Sequence, residues 1–101
     1  MDANRKRRLL AALEGQLERW RRARDDKQGR RRVQVLLQEL QRGPQLPGDD
    51  GFPRRVASRL ARVSTTTNAM EFSASLTLAR MDCLLWQVSL ANSGSSSAVA
   101  A

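Results

Sequence analysis

The sequence predicts a small α+β protein with an N-terminal αα-hairpin, a Pro/Gly linker, a short helix, a C-terminal β-hairpin and a disordered tail. Three observations predict it. Apolar residues recur at helical spacing in residues 1–42, three prolines and three glycines fall in residues 43–53, and apolar and polar residues alternate after residue 69. The short helix and β-hairpin occupy residues 54–91, and a flexible Ser/Ala tail occupies residues 92–101. A chain of 101 residues has room for one modest core.

The first predicted element is an amphipathic helix over residues 4–25. Its large apolar residues follow one another at intervals of three, four and three, so they share one helix face: Leu10, Leu13, Leu17 and Trp20. Arg8, Arg19 and Arg22 fall on the far side of the same helix. No proline interrupts the stretch, and Gly15 is its only glycine.

A second helix is predicted over residues 31–42, with its apolar stripe at Val33, Leu36, Leu37 and Leu40. In one unbroken helix over residues 4–42, the two stripes would face opposite ways. The turn-forming residues 25–29, which end in a glycine, favour a break there and therefore an αα-hairpin whose stripes meet. The alternative is one long helix that binds different partners on its two sides.

The C-terminal part changes period. After the Pro/Gly linker, Val56, Leu60 and Val63 predict a short amphipathic helix flanked by arginines. Residues 69–91 then alternate in two runs joined at residues 79–82, which predicts a β-hairpin. Its buried face is expected at Phe72, Leu76, Leu78, Leu84, Trp86, Val88 and Leu90. The Leu and Ala content leaves a helix through residues 76–87 as the alternative.

The residue inventory argues against an enzyme. The chain has no His and one Cys, which excludes His-based acid–base chemistry, an internal disulfide and any multi-Cys metal site within the chain. Cys83 is expected to be a small buried apolar residue, because a nucleophile needs a nearby base. The adjacent acidic pairs at residues 25–26 and 49–50 are explained by turn chemistry. No cofactor and no metal are therefore expected.

Basic residues are concentrated in the first third of the chain. The whole chain carries 18 Lys+Arg and 10 Asp+Glu, and residues 1–32 hold twelve of the basic and five of the acidic residues. Such a concentration is typical of phosphate binding, and it predicts an Arg-rich RNA-binding or other nucleic-acid-binding surface as the alternative function. The candidate contacts are Arg5, Lys6, Arg7, Arg8, Arg19, Arg22, Arg30, Arg31 and Arg32.

The favoured function is a non-catalytic protein-interaction module, a small subunit or adaptor of a multiprotein assembly. Two amphipathic helices and a two-stranded ribbon need more burial than each can provide alone, so we expect one or more protein partners in a hetero- or homo-oligomer. The expected interface is Leu10, Leu13, Leu17, Trp20, Val33, Leu36, Leu40, Trp86 and Val88.

The remaining expectations concern location and modification. The sequence contains no run of eighteen apolar residues, so no membrane span is predicted. The single cysteine favours the cytoplasm or the nucleus. Arginines precede Ser58 and Ser64, which makes both candidate phosphorylation sites for a kinase that prefers basic sequences. The Ser-rich end also admits a third interpretation, a truncated or alternative product.

Overall fold

Four helices follow one another in the part of the chain that the structure describes. The computed structural model describes residues 3–23 and 27–100, with side chains to residue 93. The helices are α1 (Ala3–Arg22), α2 (Lys27–Arg42), α3 (Phe52–Thr65) and α4 (Ala69–Ala100). The described ranges contain no strand, so the predicted α+β class is wrong and the fold is all-helical. The break predicted at residues 25–29 falls partly on residues 24–26, which lie outside the described part of the chain, whereas residues 27–29 form the first turn of α2.

The predicted C-terminal β-hairpin is wrong because residues 69–100 form one helix. The alternating pattern also satisfies helical spacing: the buried residues follow at intervals of four, three, four, three and four, namely Phe72, Leu76, Ala79, Cys83, Trp86 and Leu90. Residues 69–91 contain no Gly, Pro or Asn that would favour a tight hairpin turn. Asn68 caps the helix, since its Oδ1 accepts hydrogen bonds from the amides of Met70 and Glu71 at 2.9 and 3.1 Å.

Because residues 69–100 form a helix, part of the predicted buried face and the predicted disordered tail are also wrong. Leu78, Leu84 and Val88 were expected on the buried face, but they are 40 to 55% exposed. A helix places them opposite the buried stripe, whereas a strand would have placed them on the same side. The predicted disordered tail is also wrong in its backbone, because α4 continues from residue 92 to Ala100.

The core is one cluster to which all four helices contribute. Helix α4 packs against both α1 and α3, and α1 also contacts α2. The edge of one aromatic ring meets the face of another where Trp20 of α1 contacts Phe72 of α4, with 5.7 Å between ring centroids. Helix α3 begins with a proline in its first turn and buries Val56, Leu60 and Val63. The inner side of α4 is therefore covered by the other helices.

A buried carboxylate fixes the loop between α2 and α3. Asp49 Oδ2 accepts hydrogen bonds from Lys6 Nζ at 2.8 Å and from the Leu46 amide at 2.6 Å. Its Oδ1 accepts a hydrogen bond from the indole Nε1 of Trp86 at 2.9 Å. The side chains of Lys6 and Asp49 are both 2% exposed, and Lys6 Nζ also donates to the Pro44 carbonyl at 3.3 Å. This buried network joins the loop to α1 and to α4.

The charge of Asp49 is maintained by its donors. Burial alone raises the pKa of this carboxyl, but the hydrogen bonds from Leu46, Lys6 and Trp86 outweigh burial and lower the pKa below its ordinary value. A carboxyl whose pKa is lowered on folding contributes stability above its unfolded-state pKa, near pH 4, and that stability is lost as the pH falls through the lower folded value.

We predict that Asp49→Asn destabilises the chain by about 3–5 kcal/mol, because it leaves the Lys6 ammonium buried without a counter-charge. Urea-induced unfolding at neutral pH measures this loss. Asp50→Asn is the matched control: Asp50 is exposed at a positive φ that Asn also adopts, so we expect a change within about 0.5 kcal/mol. Equal effects of the two substitutions would contradict a stabilising role for the buried pair.

We also predict opposite effects for alanine at two glycines. Gly48 has φ +97°, and a Cβ there would lie 2.8 Å from the Ser89 carbonyl oxygen of α4, so Gly48→Ala should cost about 1–3 kcal/mol. At Gly15 a Cβ meets nothing within 4 Å in the middle of α1, so Gly15→Ala should stabilise by about 0.5–1 kcal/mol. Thermal melting of the two variants tests both signs.

Candidate docking surfaces

The side of α4 that faces away from α1 and α3 is apolar. We call it the outer face of α4 and define it by its six large exposed residues, Met70, Leu78, Met81, Leu84, Leu85 and Val88. Their exposed fractions range from 40% for Leu78 to 83% for Met70. Because they recur at helical spacing, they form one stripe along the helix. Helix α4 is thus apolar on two opposite sides, a pattern that soluble helices show when both sides are covered.

Charged residues border the outer face on the α3 side. Arg59 Nε donates to Asp82 at 3.3 Å, and Arg62 Nη1 donates to Glu71 at the same distance. One helical turn before Arg59, the guanidinium of Arg55 lies 4.6 Å from the Phe52 ring centroid. This edge therefore presents a row of three arginines, two of which are paired with carboxylates of α4.

The opposite border lies on the α1 side. Arg80 of α4 donates to Glu14 and, at 3.3 Å, to Glu18 of α1. Glu18 also accepts hydrogen bonds from Arg21 at 2.7 Å and Arg22 at 3.2 Å. The hydrogen bond from Arg21, with the further arginines, outweighs desolvation and lowers the pKa of Glu18 to about 2. Glu18 is therefore ionised at neutral pH, and three arginines surround it.

A concave surface lies between α1 and α2. We call it the α1/α2 groove; its volume is about 640 Å³. Its floor is formed mainly by small or apolar residues, Ala11, Ala12, Gly15, Val35 and Leu36, together with the buried Gln16, and arginines line it at Arg19, Arg31 and Arg32. In the part of the chain that the structure describes, none of these three arginines pairs with a carboxylate.

Most residues predicted for a protein interface lie in the hydrophobic core of the chain itself. Leu36 is half-buried beside the α1/α2 groove, and Val88 is 55% exposed on the outer face of α4. The other seven are buried in the common core: Leu10, Leu13, Leu17, Trp20, Val33, Leu40 and Trp86. These seven side chains stabilise the fold of the chain itself, so only two of the nine positions are accessible to a partner.

The predicted nucleic-acid contacts do not form one patch. Lys6 is buried in the network with Asp49, and Arg22 pairs with Glu18. Arg7 is half-buried and donates to the Asn4 side chain. Arg22 is exposed despite its pair with Glu18, and so are the six remaining members, Arg5, Arg8, Arg19, Arg30, Arg31 and Arg32, of which three line the α1/α2 groove. The basic third is therefore divided between the core, α1 and α2.

The two candidate phosphorylation sites are exposed on α3. The Ser64 hydroxyl donates to the Leu60 carbonyl at 3.2 Å within the helix. No observation tests modification of Ser58 or Ser64, and both stay predictions.

The thiol of Cys83 lies in the core and is fully buried. Burial, and then the charges of Asp82 and Glu14, raise the pKa of this thiol to about 12. At neutral pH the thiol is therefore protonated and a poor nucleophile. In the described ranges, no group of three His, Cys, Asp or Glu side chains is arranged to hold a metal ion.

Sequence reasoning missed most of the outer face of α4. Met70, Met81 and Leu85 were not among the predicted interface residues, because a strand period was assigned to this segment. The available signal was helical: on a helix of period 3.6, these residues and Val88 fall on one side and Trp86 on the other.

We predict that the Cys83 thiol of the native chain reacts with DTNB only as fast as the core opens. The physical reason is that both burial and the high pKa suppress the reactive thiolate. The measurement compares the rate of reaction in buffer with the rate in denaturing urea. A native rate equal to the unfolded rate would contradict the buried position of Cys83.

None of the helices searched, among the residues that the structure describes, combines the length and the apolar character that crossing a bilayer requires. Comparison of the chain with protein-family models, with curated proteins and with solved structures finds no match.

Proposed function

We propose that this chain is a non-catalytic protein-interaction module, a small subunit or adaptor that docks onto another protein through the outer face of α4. The observation that carries the proposal is the stripe of six large apolar residues that no other part of the described chain covers. Single exposed apolar residues are common on proteins, but contiguous stripes mark interaction surfaces. The sequence predicted an interface made of two amphipathic helices and a two-stranded ribbon. The proposed interface is now one face of α4.

The energetics favour a covered state of this face. Complete burial of a Leu, Met or Val side chain stabilises by about 1.5–3 kcal/mol. The outer-face residues are 40 to 83% exposed, so a substantial part of that stabilisation is still available. Met70 and Met81 add side chains that adapt to different partner shapes. An apolar helical surface of another protein is the complementary occupant.

Charge favours a different protein over a second copy of this chain. In an antiparallel pair of α4 helices related by two-fold symmetry, the α3 edge of one copy lies across from the α3 edge of the other. That arrangement brings the two copies of Arg55 to the same border, where the described chain gives Arg59 and Arg62 carboxylate partners but gives Arg55 none, and the chain carries a net charge of +8. Like charges placed opposite one another oppose association. We therefore propose a partner whose apolar surface has acidic borders.

The absence of catalysis is part of the same proposal. The high pKa and burial of Cys83 support it, because the only thiol of the chain is held in its unreactive form. A buried, reduced thiol also supports a reducing compartment, the cytoplasm or the nucleus.

Nucleic-acid binding is the second candidate. It is favoured by the exposed arginines of α1 and α2 that lack a carboxylate partner in the described ranges, Arg19, Arg31 and Arg32 among them. It is disfavoured by the loss of Lys6 to the core and by the pairing of Arg22 with Glu18. Protein docking therefore stays the leading proposal.

The test uses the full chain with an affinity tag, expressed in cells, and compares Leu85→Glu with Gln38→Glu. We expect the unmodified chain and Gln38→Glu to retain a discrete protein at near-stoichiometric amounts, and Leu85→Glu to lose it at least about tenfold, because a charge in an apolar contact is costly to desolvate. Gln38 is an exposed residue of α2, so Gln38→Glu adds the same charge away from α4. Quantitative mass spectrometry of the retained material provides the measurement.

Two outcomes would overturn the proposal. Retention of the same protein by Leu85→Glu would show that the outer face of α4 is not the docking surface. A dimer of the purified chain that sedimentation detects, and that Leu85→Glu dissociates, would make a second copy the occupant. Circular dichroism of each variant establishes that the helices are intact.

A further inference from the structure

We infer that the α1/α2 groove is a second docking site, which binds an amphipathic helix with acidic residues from another protein. It shares no residue with the outer face of α4, so the inference stands independently of the proposed function. The groove combines its apolar floor with a basic wall, which consists of Arg19, Arg31 and Arg32. The occupant must match both.

Small side chains on α1 leave space in the floor for a bound helix. On α1 the floor consists mainly of Ala11, Ala12 and Gly15, whose small side chains leave the groove open above them. A Cβ built at Gly15 meets nothing within 4 Å, which confirms open space at this point. On α2 the floor is completed by the 52% exposed Val35 and the half-buried Leu36. An apolar side chain on the occupant would be buried between them.

The length of the groove matches two turns of helix. Ala11 and Arg19 are eight residues apart on α1, which corresponds to roughly 12 Å at a rise of about 1.5 Å per residue. Helices that bind in grooves use apolar anchors at positions i, i+3 or i+4, and i+7, which span about the same distance.

The basic wall determines the charge of the occupant. Arg21, Arg22, Arg42, Arg59, Arg62 and Arg80 each pair with a carboxylate of the chain. Arg19, Arg31 and Arg32 have no such pair in the part of the chain that the structure describes, although α1 offers Glu14 and Glu18. A guanidinium binds a carboxylate through two parallel hydrogen bonds. Glutamate or aspartate beside the apolar anchors of the occupant would provide these partners.

The floor distinguishes a protein helix from a nucleic acid. Phosphate binding requires positive charge, but it derives nothing from an apolar surface of alanine, valine and leucine. An acidic amphipathic helix uses both the floor and the arginines, and the groove is therefore assigned to a protein partner. Nucleic-acid binding becomes an outcome of the test.

The probe is a synthetic peptide of about 18 residues, acetylated and amidated at its ends, with leucines at helical spacing and glutamates beside them. A fluorescent label reports binding to the full chain by anisotropy. Two control peptides are used. In the first, the same leucines are moved out of helical register; in the second, lysines replace the glutamates. We expect the acidic amphipathic peptide to bind at least about tenfold more tightly than either control.

Two variants test the groove itself. Gly15→Leu fills the floor without changing charge, and Arg31→Glu combined with Arg32→Glu reverses the wall. We expect each to weaken binding of the acidic peptide by at least about tenfold. Leu85→Glu, on the outer face of α4, should leave it unchanged. Thermal melting of the variants identifies any loss of fold, and Gly15→Ala serves as the mild control at the same position.

Several results would overturn the inference. Equal binding of the out-of-register peptide, or full binding by Gly15→Leu, would reduce the effect to charge alone. Loss of binding on Leu85→Glu would move the peptide to the outer face of α4 and leave the proposed function standing. Tighter binding of a uridine oligonucleotide, displaced from the same arginines by salt, would assign the groove to nucleic acid.

Discussion

The inner side of α4 is the constraint on which the rest of this fold depends. This 32-residue helix buries a continuous stripe from Phe72 to Leu90, and no single short helix could cover its length. Helices α1 and α3 cover it together, and the loop before α3 reaches it at Trp86 and Ser89. Helix α2 joins the core through its contact with α1. The topology is therefore the consequence of one long helix that must be covered by three shorter segments.

Charged residues have different roles in the interior of the molecule and on its surface. Inside, one ammonium and one carboxylate satisfy each other with two backbone groups and an indole, so the cost of burying them is offset. Outside, some arginines are paired along the borders of α4, whereas those of the α1/α2 groove are not. The same residue type therefore has a structural role in one place and is available for recognition in another.

The periodicity of the sequence predicted features that depend on residues close together in the chain. The spacing of Leu10, Leu13 and Leu17 indicated a helix with one buried face, and all three are buried on α1. After residue 69 the alternating pattern satisfies two periods at once, and only the missing turn residues distinguish them. Lys6 was counted with the basic cluster because its partner, Asp49, is 43 residues away. Such a pair is created by the assembly of helices, and no motif in the sequence indicates it.

The same separation has a kinetic consequence. Asp49 bonds to Lys6 and to Trp86, which is 37 residues away, so its carboxylate is satisfied only when three distant segments have met. Contacts between distant segments require loop closure before they contribute stability. An interaction that forms only after the folding transition state slows unfolding more than it speeds folding. We therefore expect the buried network to lengthen the lifetime of the native chain by slowing its unfolding.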